Sequence, residues 1–164
     1  MQNNKSFYQI LATFLILALL VIAAFPQANA QESMNKAPAF LVTVSSVYGF
    51  DDTVGGLKSA IEAENLMVIE EINAQKMLRM VGVQTKGMKQ VLFFHPRYMK
   101  QIMEINKFAT IEPPLKIAVM EMPNGKTMVR YVKPSYIFDR YEGLQEIGQE
   151  FDAQVEKIVG NISK

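Results

Sequence analysis

The chain has 164 residues, no cysteine and one histidine, and its formal net charge is +1. Without cysteine, the chain cannot form disulfides, thiolate nucleophiles, thiolate metal sites or covalent c-type haem links. Removing Lys5 together with residues 1–30 leaves equal numbers of basic and acidic residues, which are spread among one another along the chain. This balance argues against a nucleic-acid partner, which normally requires a clustered basic excess.

Residues 1–30 predict a cleavable secretory signal. Lys5 precedes an uncharged apolar run from Ile10 to Phe25, and Pro26 and the small-residue site Ala28-Asn29-Ala30 follow it. The alternative is an uncleaved anchor, because the run approaches the roughly 17–25 residues that span a bilayer. We therefore expect a periplasmic or secreted protein that meets the membrane only through its signal, before cleavage.

The mature chain is expected to begin with a flexible leader over residues 31–39 and to continue as one domain over residues 40–164. A strand is predicted over 40–47, where apolar and polar residues alternate. A helix is then predicted to end near Asn65, with Asp51 or Asp52 capping its first turn. Within that helix, Gly55 and Gly56 indicate close packing or a later start.

The middle of the chain alternates short strands and short helices. A strand is predicted over 66–72, and Asn73 is expected to cap a helix over 74–81 that Gly82 ends. Val91 to Phe94 form a continuous apolar run that is typical of an interior strand. A helix is predicted over 96–105, since Pro96 suits the first helical turn.

The last third predicts a hairpin and one long helix. Strands are predicted over 115–122 and 127–132, joined by a type I turn in which Gly125 takes the left-handed conformation. From Ser135 onward, apolar residues recur at steps of four and three, which predicts one continuous helix of about 25 residues. The residues in this pattern are Ile137, Tyr141, Leu144, Gly148, Phe151, Val155, Ile158 and Ile162.

This order of elements predicts an α+β fold. A hairpin followed by a terminal helix favours a mainly antiparallel sheet with helices packed on one face. Several local patterns also occur in the expected order: Val47-Tyr48-Gly49-Phe50-Asp51-Asp52-Thr53-Val54, Glu71-Ile72-Asn73-Ala74, Phe93-Phe94-His95-Pro96, Pro114 to Glu121, Asn124-Gly125-Lys126 and Arg130-Tyr131-Val132-Lys133-Pro134.

With these patterns over residues 40–145, the chain resembles the domain of unknown function 302 family. The resemblance implies a fold like that of the TATA-box-binding protein, with a curved antiparallel sheet backed by helices. It also implies a homodimer, and it implies no known activity. The sequence departs from the family at Phe94-His95, where members often have Gly, Cys or Asn before the proline, and its C-terminal extension is longer than expected.

His95 is the only imidazole, so it carries any histidine chemistry of one chain. If the helix after it continues, Met99 and Met103 lie on the same side. Such a set is suited to Cu(I) or to axial ligation of haem iron. The simpler interpretation is that His95 caps the helix or is exposed at the end of the strand, and that the methionines fill the core.

The chain is rich in methionine, including the close pairs Met77 and Met80, and Met120 and Met122. Copper-handling segments use such pairs, but these lie in predicted helices and strands. We therefore expect the methionines to fill the core or to form an adaptable apolar binding surface.

Arg97, Arg130 and Tyr131 join His95 as candidate ligand-binding residues near one end of the sheet. If Arg130 points to a concave sheet surface, its guanidinium suits an anionic ligand; the alternative is a simple surface role. No catalytic motif is present in the sequence.

The sequence supports two functional hypotheses. The first is a non-catalytic binding or interaction module for a small apolar or anionic ligand or for a protein partner. The second is a redox or sensor protein that binds haem or copper through His95 with Met99 or Met103. An enzyme of another kind ranks below both, because the candidate catalytic groups are few.

Overall fold

A computed structural model of the chain describes residues 38–163. The predicted signal, its cleavage site and almost all of the predicted leader lie outside these residues. Within the described part of the chain, no helix has both the length and the hydropathy that crossing a bilayer requires.

Five strands form one antiparallel sheet in the order β1-β5-β4-β3-β2. A bulge between Val68 and Glu70 interrupts the pairing of β2 with β3. The predicted α+β class with a mainly antiparallel sheet is confirmed. The strands are β1 (Leu41–Ser45), β2 (Met67–Asn73), β3 (Met88–Phe94), β4 (Leu115–Glu121) and β5 (Thr127–Val132).

The helices pack on one face of this sheet, as predicted. A 3-10 helix over Lys107–Ile111 was not predicted, because five residues are too few to show a helical period. The α-helices are α1 (Phe50–Ala63), α2 (Ala74–Met80), α3 (Pro96–Ile105), α4 (Pro134–Phe138) and α5 (Gln145–Gly160).

The core lies between the sheet and the helices α1 and α5. Alternate strand residues point into it, because successive side chains of a strand lie on opposite faces. Val91, Ile117 and Val129 are fully buried from the sheet side, and Leu57 and Phe151 are fully buried from the helix side. We call the sheet face that contacts these helices the covered face, and the other the open face.

The start of α1 differs from the prediction. Gly49 occupies the N-cap position, and no side chain caps the helix there. Asp51 and Asp52 lie inside the first turn, where they still oppose the positive end of the helix dipole. The expectation of close packing holds at Gly56, where a Cβ atom would lie 3.2 Å from Ile162 Cγ2.

Two turns form as the sequence predicts. Asn73 Oδ1 accepts a hydrogen bond from the backbone N–H of Lys76 at 2.8 Å, and this bond caps α2. In the β4–β5 hairpin, Gly125 has a φ of +79° and donates its N–H to the Met122 carbonyl oxygen at 2.9 Å. Both turns depend on neighbouring residues only, which is why a local pattern predicts them.

The prediction of one continuous helix after Ser135 is wrong in its extent. A turn with Gly143 at φ +82° separates α4 from α5. The two helices then pack against each other so closely that a Cβ atom on Gly148 would lie 2.9 Å from Ser135 Cα. Both segments bury their apolar residues in one core, so their spacing stays in phase across the turn and imitates a single helix.

Candidate functional site

The open face has a central row of residues that crosses all five strands. Thr43 on β1 pairs with Arg130 on β5, which pairs with Ala118 on β4. Ala118 pairs with Gln90 on β3, which pairs with Ile72 on β2. Because directly opposed residues of antiparallel strands lie about 4.5–5.5 Å apart, the members of this row are immediate neighbours.

Two polar atoms in this row are buried without a partner. Arg130 Nε and Thr43 Oγ1 are shielded from solvent, and neither makes a hydrogen bond among residues 38–163. Among residues 38–163, no carboxylate forms a salt bridge with Arg130. A buried donor without an acceptor is costly, and an anionic acceptor that reached these two adjacent groups would satisfy both.

The rows on either side of Arg130 are mostly apolar. On one side, Met128, Met120 and Met88 are opposed across β5, β4 and β3, and Ser45 ends their row on β1. All three methionines are half-buried. Met is flexible and polarisable, so this row forms a floor that adapts to an apolar ligand.

The row on the other side adds further apolar contacts and one cation. Leu41 pairs with Val132, and Leu92 lies between Lys116 and Glu70 in the register. Lys116 and Glu70 are exposed at this margin of the face, whereas the other three side chains are half-buried. The open face therefore combines an apolar surface with the half-buried Arg130, whose buried Nε has no hydrogen-bond partner among residues 38–163.

The expectation that methionines fill the core is wrong for the described residues. None of the nine methionines between residues 38 and 163 is buried, and Met80 is the most exposed of them at 81%. Valine, leucine, isoleucine and aromatic side chains fill the core instead. The alternative expectation, an adaptable apolar surface, agrees with the methionine row of the open face.

His95 caps α3, as the simpler interpretation predicted. Its Nδ1 accepts a hydrogen bond from the backbone N–H of Arg97 at 3.1 Å. A neutral ring that accepts at Nδ1 carries its proton on Nε2. For Nε2 to ligate a metal, the proton must move to Nδ1 and the cap must break.

His95 and Met99 line one shallow apolar pocket of about 330 Å³. Phe94 and Pro96 also line it, whereas Met103 does not and is 55% exposed. Of the three residues predicted to bind haem or copper, His95 and Met99 thus line one pocket, and Met103 lies outside it. Within residues 38–163, no group of three or more His, Cys, Asp or Glu side chains is arranged to hold a metal ion.

Arg97 belongs to a structural network between α3 and α5. Its guanidinium lies 4.8 Å from the centre of the Tyr98 ring, and Nη2 donates to Tyr98 Oη at 3.3 Å. The Tyr98 hydroxyl also bonds to Glu150 and accepts from Gln154. Burial, followed by the Glu150 carboxylate, raises the pKa of Tyr98, so the phenol stays neutral and acts as a donor.

Tyr131 lies on the covered face, opposite to Arg130, because the two residues are consecutive in β5. It lines a pocket of about 230 Å³ whose walls include Phe93, Ile117 and Val155. Burial, with smaller contributions from Glu156 and Asp152, raises the pKa of Tyr131. The four predicted ligand-binding residues therefore do not share one site, and Arg130 alone lies on the open face.

A family model described as domain of unknown function DUF302 matches residues 42–162. The chain belongs to the DUF302 family. The resemblance noted in the sequence is thereby confirmed. The crystal structure of an uncharacterised conserved DUF302 protein from Bacillus stearothermophilus matches with a TM-score of 0.70 and 19% identity, over 76% of this chain and 99% of that one. No curated protein matches this DUF302 chain.

Sequence reasoning on this DUF302 domain named Arg130 and missed Thr43. The alternation in β1 already places Thr43 on the side away from Val42 and Val44, both of which pack against the core. Its position beside Arg130 depends on the pairing of β1 with β5, which are far apart in the sequence. No local pattern carries that information.

Proposed function

We propose that this DUF302 protein is a periplasmic, non-catalytic binding module, and that its open face holds a small ligand with an apolar body and one anionic group. The observation that carries the proposal is the pair of buried, unpartnered atoms, Arg130 Nε and Thr43 Oγ1, on adjacent strands. A carboxylate or phosphate oxygen accepts from both, and bonds to a charged group are the stronger kind.

The surroundings of Arg130 support an amphipathic rather than a purely polar ligand. Ala118 occupies the position between Arg130 and Gln90, so the neighbour of Arg130 on β4 is only a methyl group. The row of methionines lies two residues further along the strands from Arg130 and Ala118. An anionic head at Arg130 thus leaves an apolar tail lying against the thioethers of Met128 and Met120.

The periplasmic part of the proposal depends on the sequence of residues 1–30. Export of the full chain in a bacterial host, followed by mass spectrometry of the periplasmic fraction, tests it. We expect a mature protein that begins at Gln31. A full-length mass in the membrane fraction would overturn cleavage and favour the anchor.

Binding is tested by calorimetric titration of the exported protein with straight-chain carboxylates, from hexanoate to decanoate. We expect affinity to rise with chain length, and Arg130→Met to weaken decanoate binding at least about tenfold through the loss of a charged hydrogen bond. Thr43→Val removes one hydroxyl at constant shape and is expected to weaken it less.

The matched control is Lys126→Met, which removes an exposed cation in the β4–β5 turn and is expected to keep wild-type affinity. If Lys126→Met weakened decanoate binding as much as Arg130→Met does, the loss would be explained by the change in net charge and not by a site at Arg130. Absence of binding by the wild type at every chain length would overturn this ligand class.

The alternative to a small ligand is that a second copy of the chain covers the open face in a homodimer. Its test is sedimentation of the wild type and Arg130→Met. We expect the variant to keep the wild-type mass, because the proposed site serves a small ligand. A change of mass in Arg130→Met would show that a second copy covers this face and would overturn the ligand proposal.

A further inference from the structure

Basic and acidic residues balance over the chain as a whole, but the expectation that they are evenly interspersed fails in one stretch of the sequence. Between Glu71 and Glu104 the sequence has no acidic residue, but it has the cations Lys76, Arg79, Lys86, Lys89, Arg97 and Lys100. Three of them lie in helix α2 and the loop after it, residues 74–86, which we call the α2 segment. Only Lys86 among these three has a carboxylate nearby, that of Glu121 at 3.9 Å.

The α2 segment also exposes large apolar side chains. Met77 is 59% exposed, Met80 81%, Val81 75% and Val83 47%. Helix α2 has no fully buried residue, unlike the amphipathic helices α1 and α5. Clustered exposure of this kind marks a contact surface, whereas single exposed apolar residues do not.

The segment presents these residues on a fixed backbone. The N–H of Gly82 donates to the Arg79 carbonyl oxygen at 3.1 Å, and the N–H of Val83 donates to that of Leu78 at 3.0 Å. With Gly82 at φ +82°, these bonds form a Schellman C-cap. Gln75 Nε2 donates to the Thr85 carbonyl oxygen at 2.9 Å and ties the loop back to the start of the helix.

We propose that the α2 segment docks this protein onto the surface of an anionic phospholipid bilayer. Met80, Val81 and Val83 would enter the boundary between head groups and acyl chains, while Lys76 and Arg79 contact lipid phosphates. Exposed apolar tips beside cations without an interleaved acid are the pattern of interfacial elements. The positive charge of the α2 segment favours an anionic membrane over an uncharged apolar partner.

A second exposed apolar patch supplies a matched control. Phe108 and Ile111 in the 3-10 helix are 75% and 80% exposed. The acidic residues Glu104 and Glu112 accompany Lys107 there. Lys100 and Arg140 pair with these two acids, so the patch offers comparable apolar exposure with fewer unpaired cations than the α2 segment.

The experiment is co-sedimentation of the exported, signal-free protein with vesicles of equal parts phosphatidylethanolamine and phosphatidylglycerol. Vesicles of phosphatidylcholine alone serve as the uncharged reference. We expect binding to the anionic vesicles that weakens as salt is added. Lys76→Gln with Arg79→Gln is expected to reduce the partition coefficient by roughly 25-fold, about fivefold for each charge.

The apolar part is tested separately. Met80→Ser with Val81→Ser is expected to reduce partition at least about tenfold, because two side chains no longer enter the interface. Phe108→Ser with Ile111→Ser is expected to bind as the wild type does. All four sites are exposed, so circular dichroism should show unchanged folding in both variants.

Three results would overturn the proposal. One is equal binding to phosphatidylcholine vesicles, and another is an equal loss in the Phe108 and Ile111 variant. The third is a change in the mass in solution of the Met80 and Val81 variant, which would assign the surface to a second copy of the chain. None of these measurements depends on Arg130, so a negative result for the docking surface leaves the proposed ligand site untouched, and the reverse also holds.

Discussion

The two faces of the sheet are built from the same strands and yet differ in almost every physical respect. On the covered face, Val91, Ile117 and Val129 have no exposed surface. On the open face, the same strands carry half-buried methionines and Arg130, whose buried Nε has no hydrogen-bond partner among residues 38–163. The difference indicates that the covered face stabilises the fold, whereas the open face contributes less to stability and is available for binding. Substitutions of neighbouring residues on the two faces test these two roles separately.

The largest expected effect is on the covered face of β4. Ile117→Ala removes a fully buried side chain and is expected to lower the free energy of unfolding by about 2–5 kcal/mol. Met120→Ala, on the open face of the same strand, is expected to cost about 1 kcal/mol or less. Urea unfolding followed by circular dichroism measures both, and equal losses would show that the open face is packed like a core.

The next effect concerns the helices that cover the sheet. Gly148→Ala places a Cβ atom 2.9 Å from Ser135 Cα, so we expect α4 and α5 to separate at a loss of about 1–3 kcal/mol. Gly55→Ala is the control, since its new Cβ meets nothing within 4 Å. This control should raise stability by up to about 1 kcal/mol through helix propensity. Equal responses in thermal unfolding would contradict the close contact.

A smaller effect is expected at the polar margin of the covered face. Lys89 and then Lys58 lower the pKa of Glu71, whose carboxylate lies 3.0 Å from Lys89 Nζ and 3.1 Å from Lys58 Nζ. A lowered folded-state pKa means that the stabilisation is present above the unfolded-state pKa and is lost as the pH falls through the folded-state value.

Glu71→Gln is therefore expected to lose up to about 1 kcal/mol at neutral pH and to converge with the wild type in acid. Urea unfolding at a series of pH values measures the gap. Glu62→Gln on α1 is the control, because Glu62 is exposed and forms no salt bridge among residues 38–163. A gap that persists unchanged at low pH would rule out the Glu71 charge as its cause.

The smallest effect on stability is expected at the centre of the open face. Arg130→Met removes a partly desolvated charge that has no partner among the described residues, so the free energy of unfolding should stay within about 0.5 kcal/mol of the wild type or rise. Urea unfolding in the absence of ligand checks this. A loss above about 1 kcal/mol would make Arg130 a structural residue and would remove the main support for a ligand site.

Local patterns predicted much of the fold. The helix over 96–105, the cap at Asn73 and the turn at Gly125 each depend on a few adjacent residues, and all three formed as expected. The break at Gly143 escaped prediction because α4 and α5 keep the same apolar phase. The prediction that the methionines fill the core also failed, because periodicity indicates one apolar face of a helix or strand and does not say whether another element packs against that face.

The candidate site divides in the same way. Alternation along β5 is sufficient to place Arg130 and Tyr131 on opposite faces, because side-chain direction in a strand follows from local backbone geometry, but the sequence-based prediction grouped both as ligand-binding residues. Only the tertiary structure decided that Thr43 lies beside Arg130 and that Met88, Met120 and Met128 form one row. These neighbours depend on hydrogen bonds between strands that are distant in the chain, and no local pattern in the sequence determines which strands pair.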